Sequence, residues 1–372
     1  KASLNDIFDQ LVQFRNTMAR NAACESFVDL AFKSMRRFDY TPTDCIEFHA
    51  TVRDVVVPIH RSLMSDRCQK LKLENLRPWD MQVDPEGRAP LRPFRNGTEL
   101  IAGTQCISDR INTKLGKFFS WMQEIRALDL ESRKGKAPGG YMSQRDETRR
   151  PFIFMNAAGL QRDLNTLLHE TGHAYHSYLC KDDPIYMYRS PPIEFAEVAS
   201  MSMELLAFPY YDEFYSEQEA NRARRSHLED LFALFTWVAQ IDAFQHWIYT
   251  NPRHSVAERE AYWLELDQDF GASLDWSGLD EERASQWQRQ LHLYTAPLYY
   301  IEYAIAQLGA LQVWRNSIED PERAFEQYSA GLALGGSRPL PELFTTAGIQ
   351  FDFSRNALEP LMEFVQQQIE LF

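Results

Sequence analysis

Glycine is scarce in this chain, at 16 of 372 residues, roughly 4% against about 7% in average proteins. Architectures of many short strands and tight turns need more of it, so helices are favoured. The five cysteines (Cys24, Cys45, Cys68, Cys106, Cys180) are odd in number, scattered, and never at CxxC spacing. That excludes a disulfide framework and a cysteine-built zinc cage, and points to reduced thiols in a cytoplasmic protein. No apolar run is long enough for a bilayer span. The longest, Leu231 to Ala243, is interrupted by Thr236 and Gln240 and carries Asp230 and Asp242 at its margins. The opening residues, Lys1 to Phe8, hold no apolar leader core. Basic residues are the minority, 39 against 53 Asp and Glu, for a formal net charge of -14. This balance argues against nucleic acid and against a membrane as partner. What is present is ample core material: 44% hydrophobic residues, with 24 Phe among them. Intrinsic disorder is excluded. A chain of this length buries about 75% of its unfolded surface and needs no staples.

Periodicity predicts a mostly helical chain with one small sheet. Leu4, Ile7, Leu11, Phe14 and Met18 recur as one face of a helix does, directly behind Lys1. The pattern is that of a chain entered partway through or processed. Thr41-Pro42-Thr43-Asp44 supplies an N-cap, a first-turn proline and a carboxylate that starts another helix. Leu76 to Asn96 is proline-rich, contains the turn Asp84-Pro85-Glu86-Gly87, and predicts a long ordered loop. A helix is expected over Thr98–Leu128, and the basic, Gly- and Pro-bearing stretch Ser132–Gly140 is a connector. The apolar run from Phe152, closed by Asn156, predicts a strand. Helices are then expected at 162–181, 192–208, 214–250, 283–293, 297–316 and 354–370.

His169-Glu170-Thr171-Gly172-His173 matches HExxH. On a helix, two imidazoles four residues apart share a face and converge on one metal ion. Glu170 between them can take a proton from metal-bound water. A catalytic zinc needs a third protein ligand and an open fourth position. His176 is a poor candidate: seven residues of helix place it roughly 10 Å from His169 along the axis. It reads as a packing or supporting histidine. The helix after Ser190-Pro191-Pro192 is the better source, with Glu194, Glu197 and Glu204. Glu197 and Glu204 face the same way but lie too far apart to ligate together, so one ligates and another can orient a histidine. The residues alone leave the choice among the three open.

HETGHAYHSY followed by SPPIEFAEVASMSMELL resembles the oligoendopeptidase F and thimet oligopeptidase family of zinc metallopeptidases. GGYMSQRDETRRPFIFMNAAG upstream, and LHLYTAPLYYIEYA and LALGGSRPLPELFTTAGIQFDF downstream, are similar to it as well. So are RFDYTPTDCIEFH and LRPWDMQVDPEG, which resemble the oligoendopeptidase F branch. The resemblance implies a mainly α fold: a zincin-type HExxH catalytic core in a helical body, with a deep substrate channel and a small β-sheet. It implies Glu197 as third zinc ligand beside His169 and His173, and Glu204 as a supporting carboxylate. It also implies a site histidine followed by tyrosines, here His292 with Tyr299, Tyr300 and Tyr303. Ala296 is an added residue and Ile301 stands where relatives often carry Tyr, which leaves open which tyrosine meets the reacting carbonyl; Tyr299 is the first candidate, with Tyr303 next. On this reading residues 1–135 form a helical channel wall and 136–372 the zinc-peptidase region, with the family's N-terminal lobe absent.

The expected activity is zinc-dependent hydrolysis of internal peptide bonds in short oligopeptides. Zinc-bound water is the nucleophile, Glu170 the general base, and His292 and Tyr299 complete the catalytic set. Tyr300 and Tyr303 contact substrate. Zn2+ is the cofactor and short peptides are the partners. The strand Phe152–Asn156 is a candidate for pairing with substrate backbone. The competing expectation is a non-catalytic, zinc-containing peptide-binding protein. An aminopeptidase would need a pocket for a free amine, and no motif announces one.

Overall fold

A computed structural model describes residues Lys1 to Phe372. The chain divides into two compact units that interleave along the sequence. Residues 1–89, 228–304 and 353–366 form the first, and 90–227, 305–352 and 367–372 the second. Both are mainly helical, as the glycine poverty predicts.

The chain opens with α1 (Ala2–Asn21), α2 (Phe27–Ser34), α3 (Pro42–Thr51) and α4 (Val57–Leu71). Helix α1 forms where periodicity predicts but turns a different face inward. Phe8, Val12, Arg15 and Ala19 are buried, while Leu4, Ile7, Phe14 and Met18 are exposed. Arg15 is held inside by Tyr249 Oη at 2.8 Å and the Leu293 carbonyl at 2.9 Å. A satisfied guanidinium can thus replace an apolar residue on a buried face. The Thr41 cap is as expected: the Thr41 N–H donates to Asp44 Oδ2 at 2.7 Å and starts α3. One π turn, Val52–Val56, links α3 to α4 just before Pro58, which has no N–H to continue the ladder.

The predicted Thr98–Leu128 helix is two helices, α5 (Gly97–Ile111) and α6 (Thr113–Glu124), packed on one another. Asn112 is extended and its side chain accepts the Lys114 N–H at 2.8 Å, so it ends one helix and caps the next. The sheet contains β1 (Leu128–Glu131), β2 (Tyr141–Arg145) and β3 (Arg150–Ala157) in the order β1-β3-β2. The predicted strand is β3, the central one, parallel to β1 and antiparallel to β2. Both of its edges are taken, so its expected role in pairing with substrate backbone is corrected: β2 is the antiparallel edge.

Helix α7 (Gln161–Cys180) packs on β2 and β3 and most extensively on α8 (Ile193–Leu206). Buried Asp163 starts α7 by accepting the N–H groups of Ala158 at 2.7 Å and Leu160 at 2.9 Å. Gly172 allows the close packing: a Cβ there would lie 2.4 Å from the Ala199 carbonyl oxygen and 2.6 Å from Ser200 Cα. The long α9 (Glu217–Thr250) is followed by α10 (Val256–Phe270).

The helix expected at 283–293 is instead α11 (Asp280–Ala284), a 3-10 turn at Gln286–Arg289, and the single turn α12 (His292–Thr295). Helix α13 runs Ile301–Glu319, starting later than the expected 297. Ala296 precedes Pro297, which disfavours helical backbone. Leu298 takes a left-handed φ of 64° and donates its N–H to Gln245 Oε1 at 2.6 Å. Helices α14 (Pro321–Leu332), α15 (Leu340–Thr346) and α16 (Arg355–Leu371) complete the chain. No helix is long and apolar enough to cross a membrane.

Candidate metal centre and active site

Two helices of the second unit bring three donors to one point. His169 and His173, one turn apart on α7, face Glu197 of α8, with donor atoms all within 4.8 Å of one another. Glu197 Oε2 lies 3.3 Å from His169 Nε2 and 3.5 Å from His173 Nε2. Ligands 2.0–2.1 Å from a tetrahedral zinc are separated by roughly 3.3–3.4 Å. The residues present therefore fit that ion. Of the three candidate carboxylates, Glu197 joins the histidines, Glu204 sits behind His169, and Glu194 is not among the converging groups.

Side chains behind the donors hold them in place. Glu204 Oε1 is 2.7 Å from His169 Nδ1, which leaves Nε2 of that ring for a metal. Glu204 Oε2 is 3.7 Å from His227 Nε2, and Asn165 Nδ2 is 3.2 Å from His227 Nδ1. The Ser200 hydroxyl donates to Glu197 Oε2 at 2.8 Å. Burial alone would raise the Glu197 carboxyl, yet hydrogen bonds and charge from His169 and His173 hold it well below the usual carboxylate range. Burial likewise works against a charged His169, but Glu197 and Glu204 raise it well above the usual histidine value. Glu170 is buried beside the pair, and that burial raises its carboxyl against the opposing charges of His169 and His173. A raised carboxyl suits a group that must accept and then release a proton. His176 is fully inside, its ring edge-on to Phe195 at 5.9 Å, and is a packing residue as its spacing predicts.

In the first unit His292, Tyr299, Tyr300 and Tyr303 form one aromatic cluster. The His292 ring lies 5.7, 5.1 and 5.9 Å from the three tyrosine rings in that order. Two residues that the sequence reading missed set its chemistry. Trp237 Nε1–H donates to Gln290 Oε1 at 3.0 Å, and Gln290 Nε2 lies 2.7 Å from His292 Nδ1. An indole N–H can only donate, so the Gln290 carbonyl faces Trp237 and its amide N–H faces His292. His292 Nδ1 then accepts, and a neutral ring carries its proton on Nε2. Burial lowers the His292 pKa and favours that neutral form. The Tyr303 hydroxyl is 3.4 Å from the same Nε2. No local pattern announces Gln290 or Trp237, because their partners are fixed by a non-helical segment.

Comparison with known proteins shows what the chain is similar to. An oligoendopeptidase F homologue of Borreliella burgdorferi is 30% identical over 59% of this chain and 38% of its own length. The oligopeptidase PepF of Bacillus subtilis is 27% identical over 61% of this chain and 34% of its own. The chain thus spans well under half the length of these curated relatives. The solved structure of PZ peptidase A with an inhibitor superposes with a TM-score of 0.93 at 31% identity. It covers 100% of this chain and 66% of the other. The family model for peptidase family M3 matches residues 1–363. With this match over nearly its whole length, the chain belongs to peptidase family M3.

Proposed function

We propose that the chain hydrolyses internal peptide bonds in short oligopeptides, with zinc held by His169, His173 and Glu197. The observation that carries this reading is the convergence of three donors at 3.3 and 3.5 Å with a buried glutamate beside them. Zinc, when bound, supplies Lewis acidity that acidifies water and polarises a carbonyl. Glu170 takes the proton of the attacking water and passes it to the leaving nitrogen. His292, as an Nε2–H donor, and Tyr299 stabilise charge developing on the carbonyl oxygen, with Tyr300 and Tyr303 contacting substrate. Losing one such donor typically lowers turnover about 100–1000-fold. The edge strand β2 pairs with the peptide backbone, a mode tolerant of side-chain sequence. Support for β2 comes from its edge position and from the packing of α7, which carries Glu170, against it.

A quenched fluorescent peptide, assayed with and without a chelator, tests the reading alongside Glu170→Gln. Cleavage by the wild type, abolished by chelation, is expected. Glu170→Gln should keep its zinc and lose cleavage. Full activity in that variant removes Glu170 as the base. A wild type that binds zinc and peptide without cleaving instead supports the non-catalytic reading. Glu197→Ala is expected to lose zinc, and unchanged zinc content would move the third ligand to another carboxylate.

A further inference from the structure

A second cluster of donors lies in the interior of the first unit. Helix α3 presents Cys45 and His49 one turn apart, and α9 presents Asp242 and His246 one turn apart. All four are buried, with relative exposures of 0, 7, 0 and 8%. Donor atoms of Cys45, Asp242 and His246 fall within 4.8 Å of one another. Asp242 Oδ2 is 2.8 Å from His49 Nε2 and 3.3 Å from His246 Nε2. The second contact lacks hydrogen-bond alignment. His246 Nε2 and Asp242 Oδ1 are both buried with no hydrogen-bond partner. Orphaned polar atoms inside a protein are costly, and two in one cluster need an explanation.

We propose that Cys45, Asp242 and His246 form a second metal site, structural in role, for a divalent ion of the zinc type. His49 is its positioning residue and orients Asp242 through the 2.8 Å hydrogen bond. The donor set is one thiolate, one imidazole and one carboxylate, which suits zinc and excludes calcium and magnesium, ions of all-oxygen sites. Thiolate and carboxylate together carry two negative charges, so a dication leaves the buried site neutral, and an uncompensated interior charge is avoided. His49 and His246 retain 9 and 10% of their side-chain exposure, which gives an ion a way in. Bound there, the ion ties residue 45 to residues 242 and 246 and fixes α3 against α9.

Cobalt(II) reads this site alone, because the His169–His173–Glu197 set offers nitrogen and oxygen but no sulfur. The wild-type chain loaded with Co2+ is expected to show a thiolate-to-cobalt charge-transfer band. It should also hold zinc that survives in the His169→Ala, His173→Ala double variant. Cys45→Ser is expected to abolish the band, and His49→Gln to weaken cobalt binding about 10–100-fold. Should Cys45→Ser not fold, Asp242→Asn gives the same readout through lost affinity. A wild type with no such band, or a band that persists in Cys45→Ser, overturns the proposal. Neither result depends on whether the chain cleaves peptides.

Discussion

At the scale of single residues, most of the candidate site is one helix turn that any helical reading exposes. His169, Glu170 and His173 follow from their spacing, because a 3.6-residue period alone puts the two imidazoles on one face. The third donor does not follow, since choosing among Glu194, Glu197 and Glu204 requires knowing how two helices cross. Glu204 instead backs His169 at 2.7 Å. Glu204→Gln is therefore expected to lower zinc affinity about 10–100-fold while leaving turnover near normal at saturating zinc. A zinc-competition titration checks this, and unchanged affinity would detach Glu204 from the metal. Gln290 is illegible in the sequence because its role depends on a broken helix and on Trp237. Gln290→Leu should lower kcat about tenfold, the equivalent of one hydrogen bond of about 1.4 kcal/mol, with little change in KM. Equal kcat in that variant would show that the orientation of His292 does not matter to the reaction.

At the scale of elements, the geometry of the candidate metal site is a packing distance. Gly172 faces backbone atoms of α8 that cannot rotate away, at 2.4 and 2.6 Å from where an alanine methyl would sit. Gly172→Ala must push α7 from α8, which costs about 1–3 kcal/mol as an over-packing change. The same shift carries Glu197 away from His169 and His173. Urea unfolding in chelator should show the stability loss, and calorimetric titration the weaker zinc binding. Native stability with native affinity would mean the two helices have slack. Elements are legible where caps and periodicity agree, as at Thr41 and over α7 and α8. Others depart from the sequence expectation for definable reasons. Asn112 splits a helix without the help of Gly or Pro. Arg15 displaces an apolar face of α1. The central place of β3 follows from β1 and β2, whose own sequences carry little strand signal.

At the scale of the whole molecule, buried groups of α4 and α9 give folding a pH dependence. Burial, aided by the neighbouring Arg61, lowers the His60 pKa from 6.5 to about 4. Its ring lies against the Thr236 hydroxyl at 3.3 Å. Between those values the unfolded chain takes up a proton that the folded chain refuses. Stability is thus full above about pH 6.5, falls as pH drops towards 4, and changes no further from this group below that. The loss is at most ~3 kcal/mol. Urea midpoints measured from pH 7 to 4 should fall less steeply in His60→Gln, and identical slopes would remove His60 as a cause. Zinc should also raise the melting temperature. A ligand at 100 times its Kd adds about 2.7 kcal/mol to the folded state.

The sequence by itself determined the helical class, the HExxH turn and the resemblance that led to peptidase family M3, because these rest on composition and on contacts a few residues apart. The resemblance already named Glu197; only the tertiary structure set its 3.3 and 3.5 Å distances to the histidines, which strands are edges, and what faces His292 Nδ1. It alone also joined Cys45 to Asp242 and His246 across nearly two hundred residues of chain. Side chains that meet through folding leave no fixed spacing in the sequence. Their chemistry exists only once helix packing has set the distances between them.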